Sequence, residues 1–102
     1  MINRIVKMTF DPALINDFMA VFNASKDKIR QFDGCLGMIL LQDNQHNNVL
    51  FTYSQWASED HLNAYRNSEL FKTTWANTKN KFISKAEAWS TSTIDAPHNN
   101  SH

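Results

Sequence analysis

Apolar positions along the chain change period several times, and each change marks an element. Ile2 to Phe10 is dense in apolar and β-branched residues and predicts a strand. Asp11-Pro12 stops it with a helix-start signature: an N-cap acceptor, then a proline whose missing N–H costs nothing in the first turn. Leu14, Ile15, Phe18, Met19, Phe22, Ile29 and Phe32 then recur at helical spacing, with Asn16, Asp17, Asn23, Lys26 and Asp27 between them. This spacing predicts an amphipathic helix to about Phe32. Asp33-Gly34 ends it, because glycine enters the left-handed conformation of a helix stop without penalty.

Cys35 to Leu41 (CLGMILL) is apolar without clean alternation, and a polar loop, Gln42 to Asn48, follows. Val49 to Trp56 is the next strand, and the two read as an antiparallel hairpin. One face of the second strand carries Val49, Phe51 and Tyr53; the other carries Leu50, Thr52, Ser54 and Trp56. Ser58 is placed to cap a short helix that has Glu59 and Asp60 in its first turn. Asn67-Ser68 breaks that helix and recaps a second one, whose Leu70, Phe71, Trp75 and Phe82 form one apolar stripe. Ser84 to Ile94 predicts a closing strand, weakened by its Ala and Ser content.

The order is β-α-β-β-α-β, an α+β fold of the ferredoxin-like, split βαβ kind: a four-stranded antiparallel sheet with the helices on one face. A domain over residues 1–94 is followed by Asp95 to His102 (DAPHNNSH), which has no apolar run and is expected to be a mobile tail. Helices cover only one sheet face, yet CLGMILL puts large apolar groups on both faces of its strand, and the first strand mixes Ile5 with Val6 and Met8. Leaving such side chains in water forgoes about 1.5–3 kcal/mol each. A second sheet is the natural cover. The expectation is a symmetric homodimer, sheet against sheet, burying more than ~1,000 Å². Either Met38→Asp or Leu40→Asp should then break it, whichever residue faces the partner.

Composition narrows the function classes. The 102 residues suffice for one core, and seven Phe, three Trp and two Tyr are too many for a disordered chain. Apolar runs such as Met38 to Leu41 fall far short of the ~20 residues of a membrane span. The opening residues carry no secretory pattern, so a cytoplasmic location is expected. Ten basic and ten acidic side chains cancel, which argues against nucleic acid as partner. The single Cys35 has no Lys, Arg or His beside it to activate it and reads as packing. His98 and His102 are spaced too loosely for a metal site, and His46 sits in a polar loop. No Gly-rich phosphate loop, paired-carboxylate motif or Cys/His cluster occurs, so no cofactor is expected.

Two stretches carry a family resemblance: FTYSQWASEDHLNAYRNSELFKTTW (Phe51 to Trp75), and the lead-in IRQFDGCLG (Ile29 to Gly37) with its helix end before the second strand. They resemble the antibiotic-biosynthesis monooxygenase domain family, within the dimeric α+β barrel superfamily, over roughly Met1 to Ser92. The resemblance implies the fold and the dimer, and oxygen chemistry on aromatic or quinol-like molecules without a cofactor. The superfamily also includes haem-degrading enzymes built around an Asn on the first strand, a Trp and a His. Alignment on Ser68, Leu70, Phe71 and Lys72 puts Tyr65 at the Trp position and Trp75 at the His position. Asn3 lies too early to match the Asn, and with Trp75 at the His position the iron ligand is missing, so haem degradation is disfavoured.

A cofactor-independent oxygenase asks the protein for a base, a dry aromatic cavity and a donor to the developing oxyanion. In the fold that the resemblance implies, the pocket lies between the helix-covered sheet face and the helices. Phe22, Phe51, Tyr53, Trp56, Phe71 and Trp75 are the candidate wall, with plain hydrophobic core as the competing reading. His61 is the candidate base, because an unperturbed imidazole titrates near pH ~6.5. Tyr65 follows at i+4, so the two could face one cavity; the alternative is a solvent-facing His61. Arg30 and Arg66 could orient an anionic substrate with their planar forks, or form surface ion pairs such as Arg66 with Glu69 or Glu59. The alternative function is a ligand-binding or structural dimer of the same fold without chemistry.

Overall fold

The structure, a computed structural model, describes residues 1–97. The central strand β1 (Ile2–Thr9) leads through a single 3-10 turn (Pro12–Leu14), capped by Asp11 accepting from the Ala13 N–H at 3.0 Å, into α1 (Ile15–Arg30). Strands β2 (Cys35–Gln42) and β3 (Val49–Trp56) form the expected hairpin. Helices α2 (Glu59–Arg66) and α3 (Glu69–Lys79) are each capped by the predicted serine: Ser58 accepts from the His61 N–H at 3.2 Å and Ser68 from the Phe71 N–H at 3.1 Å. Strand β4 (Glu87–Thr91) closes the order.

The four strands pair antiparallel in the order β2-β3-β1-β4, the α+β ferredoxin-like arrangement. The closing strand is shorter than the Ser84 to Ile94 expected. It is exposed throughout and pairs with β1 alone, because its small and polar residues offer little to bury. Helix α1 ends at Arg30, two residues early. Gly34 takes φ +86° in the turn that follows, and its carbonyl accepts from the Ala57 N–H at 2.8 Å, tying the turn to the end of β3.

Strand register sorts the sheet residues into two faces. On the helix face, Leu40, Thr52, Val6 and Ala88 lie in one row and Met38, Ser54, Arg4 and Ser90 in the next. Met8, Phe10, Phe18, Phe22, Ile29, Met38 and Leu50 form the core between this face and the helices. On the open face Ile39, Tyr53, Ile5 and Trp89 stand side by side across all four strands, flanked by Leu41 and Phe51. Ile39 is 51% and Trp89 45% exposed in the isolated chain. Met38 and Leu40 therefore face the helices, and neither of the two substitutions expected to break a dimer touches the open face; Ile39 and Leu41 occupy it instead.

Among the described residues no helix is long and apolar enough to cross a membrane. From residue 98 onward the expected tail, with His98 and His102, lies outside the described residues.

Candidate functional site

Small side chains on the sheet create the site. Thr52, Ser54 and Ala88 occupy the middle rows of the helix face, where larger residues would fill the space up to the helices. The result is a cavity of about 310 Å³ between the sheet and all three helices. This is at the lower end of the ~300–1,000 Å³ typical of small-molecule sites. Trp56, almost wholly buried at 1% exposure, stands at one end with its indole N–H donating to Ser54 Oγ at 3.0 Å.

The helices add an aromatic wall. Tyr65 stacks on Trp56 with ring centroids 4.8 Å apart, and Phe71 meets Tyr65 edge-on at 5.3 Å. Phe71 in turn stacks on Trp75 at 5.9 Å. Phe22 from α1 closes the opposite side. Trp56, Phe71, Trp75 and Phe22 thus all line one cavity, as does Tyr65.

Other expected members lie elsewhere. Phe51 and Tyr53 point to the open face, since they alternate with Leu50, Thr52 and Ser54, and helices cover only that second set. The Tyr53 hydroxyl donates to Asn3 Oδ1 at 3.2 Å on the open face. Arg30 is also outside the cavity: its Nε and Nη2 donate to the Met38 carbonyl at 3.2 and 3.1 Å, clamping the end of α1 to β2, and Asp27 lies 4.0 Å away.

His61 is outside too, and the expected His61–Tyr65 pair across one cavity does not form. The inward stripe of α2 is Leu62, Tyr65 and Arg66, an i, i+3, i+4 set. One position before Leu62, a residue is turned by about 100° on a helix of 3.6 residues per turn. That rotation puts the His61 ring against Gly34, with Nδ1 2.7 Å from Ser58 Oγ and Nε2 3.8 Å from an Asp33 carboxylate oxygen.

Tyr65 has its pKa pushed up to about 12, first by burial and then by the neighbouring Cys35 thiol when charged. At neutral pH it is a phenol that donates, not a base. Its hydroxyl makes no hydrogen bond to another side chain or backbone group among the described residues, although the ring is held on two sides.

Arg66 reaches the cavity from the exposed end of α2 and forms no ion pair with Glu59 or Glu69. Arg4, which sequence reasoning passed over, rises from the cavity floor on β1 and donates to Ser90 Oγ at 2.9 Å. Burial and then the Arg66 charge hold its pKa below the ordinary guanidinium value. The signal was present in the strand's period of two, in which Arg4 alternates onto the same face as Val6 and Met8.

The sequence profile described as antibiotic biosynthesis monooxygenase matches residues 1–77. Among solved structures, one described as an antibiotic biosynthesis monooxygenase superposes with a TM-score of 0.87 at 16% identity, covering 93% of this chain and 100% of that one. Rv0793 from Mycobacterium tuberculosis gives 0.86 at 16% identity, covering 95% and 98%. A mutant of SnoaB, a cofactor-independent oxygenase from Streptomyces nogalater, gives 0.83 at 14% identity, covering 93% and 94%. No curated protein sequence matches this chain. At such identities the structural likeness carries the fold alone.

Proposed function

From a chain that belongs to the antibiotic biosynthesis monooxygenase family, we propose a homodimeric, cofactor-independent monooxygenase of an aromatic or quinol-like small molecule. The observation that carries this reading is the aromatic-walled cavity with a neutral tyrosine in its wall. The structural relative SnoaB, described as a cofactor-independent oxygenase, supports the same direction.

The electrons come from the substrate. A methylene between two aryl rings, once ionised, reacts with O2 so that the carbon becomes a carbonyl; one oxygen atom stays on it and the other leaves as water with the two displaced hydrogens. The protein's part is to hold the flat anion against Trp56 and Trp75, to keep bulk water away, and to donate from Tyr65 to the oxygen where negative charge collects. Among the described residues no carboxylate or imidazole lines the cavity, so the substrate gives its proton to solvent before it is enclosed rather than to a resident base.

The dimer forms through the open face. The row Ile39, Tyr53, Ile5 and Trp89 is apolar across the whole sheet, and a second copy covers it in the self-complementary way that two-fold interfaces require. A cytoplasmic location belongs to the same proposal.

A second reading, a ligand-binding dimer without chemistry, is favoured by one observation: the candidate base His61 lies outside the cavity. Oxygen uptake separates the two. Chelator-treated protein is presented with anthrones, naphthohydroquinones and simple hydroquinones, with autoxidation subtracted. Saturable uptake is expected, lowered about 10²-fold or more in Tyr65→Phe as for loss of an oxyanion donor. His61→Ala should leave it within about twofold, less than 1 kcal/mol of barrier. Absence of uptake above background across the panel selects the binding-only reading.

A further inference from the structure

Two arginines share one small cavity that has no acid in its lining among the described residues. Arg4 is the charged member of an inward stripe otherwise made of Val6 and Met8, and Arg66 ends the inward stripe of α2. Among the described residues no Asp or Glu lines the cavity, Asp27 pairs with Arg30 and Asp33 lies beside His61, and neither acid pairs with Arg4 or Arg66. Arg4 is half-buried and fixed by a neutral hydroxyl, Ser90, while Arg66 is exposed at the rim. Burial first, and the Arg66 charge second, lower the Arg4 pKa, as for a partly buried cation beside another of like sign.

We propose that the cavity takes an aromatic carboxylate, with the carboxylate held between Arg4 on the floor and Arg66 at the rim and the rings against Trp56 and Trp75. A carboxylate offers two oxygens in the geometry of the guanidinium fork. It can also lie in the plane of an attached ring, as a tetrahedral phosphate cannot, and the aromatic wall favours a flat ligand. The assignment rests on the cavity being the substrate site, and it narrows the substrate to an aromatic bearing a permanent anion.

The test is calorimetric titration of the intact protein with 2-naphthoate and with its methyl ester. The acid should bind about tenfold or more tighter than the ester, the range of hydrogen bonds to charged groups. Added salt should erode that advantage and leave the ester untouched. Arg4→Gln and Arg66→Gln should each abolish most of the preference while the ester affinity changes by no more than about twofold. Arg66→Lys should keep part of it, since the charge remains and the fork is lost.

Equal affinities for acid and ester in the unaltered protein overturn the proposal. So does undetectable binding of the acid at millimolar concentration, or a preference that survives both Gln substitutions. The unaltered-protein comparison needs no variant to fold. Oxygen is not read in this experiment, so an anion preference without turnover keeps the carboxylate site and removes the oxygenase, whereas turnover without the preference does the reverse.

Discussion

Tyr65 couples the site to stability through its proton. Below about pH 10 the phenol is protonated in both the folded and the unfolded chain and contributes nothing to pH dependence. Between about pH 10 and the folded value of about 12 the unfolded chain loses the proton while the native state keeps it. Stability therefore falls with rising pH there, by about 1.4 kcal/mol per unit. Denaturant midpoints across that window should fall more steeply in the unaltered protein than in Tyr65→Phe, and a parallel decline in both would refute the assignment. Gly34 is the other decisive single residue. Its φ of +86° excludes most side chains, and a methyl group there would also overlap the His61 ring. Gly34→Ala should cost about 1–3 kcal/mol, seen as a lower midpoint in urea. A cycle with His61→Gly would separate overlap from backbone strain.

Between α2 and α3 one serine does two jobs. Ser68 Oγ accepts from the Phe71 N–H and donates to the Tyr65 carbonyl at 2.6 Å, so it ends one helix and starts the next. The angle it sets puts Tyr65 and Arg66 on one side of the cavity and Phe71 and Trp75 on another. Ser68→Ala should destabilise by about 1 kcal/mol, as typical N-cap losses do, and should weaken ligand binding without touching the ligand. Thermal unfolding and titration on the same variant check both. Ser58 and Ser68 were legible because a cap is a local pattern of an acceptor followed by a helical stripe. Arg4, by contrast, was only half legible: the strand's period of two groups it with Val6 and Met8, but only the pairing of β1 with β3 and β4 shows that the helices cover that set. The same parity sent Phe51 and Tyr53 to the open face. An i+4 relation misled at His61, since neighbours on a helix surface need not lie on its buried stripe.

At the scale of the whole molecule the proposed dimer rests on the open apolar row. Ile39→Asp or Leu41→Asp should reduce the scattering mass from twice to once the 11.8 kDa protomer. Leu40→Asp should instead damage the core, because Leu40 packs against it from the helix side. A mass that stays doubled in both open-face variants would place the interface elsewhere. The order of elements along the chain, the helix caps and the apolar surplus beyond one sheet face follow from patterns a few residues long, in which periodicity and turn chemistry act locally, and these the sequence determined by itself. Which face each side chain took, the hollow left by Thr52, Ser54 and Ala88, and the meeting of Arg4 with Arg66 from elements some sixty residues apart (Arg4 on β1, Arg66 on α2) came only with the tertiary structure. Register and helix rotation are set by burying one face of the whole sheet at once, and no short stretch of chain contains that constraint.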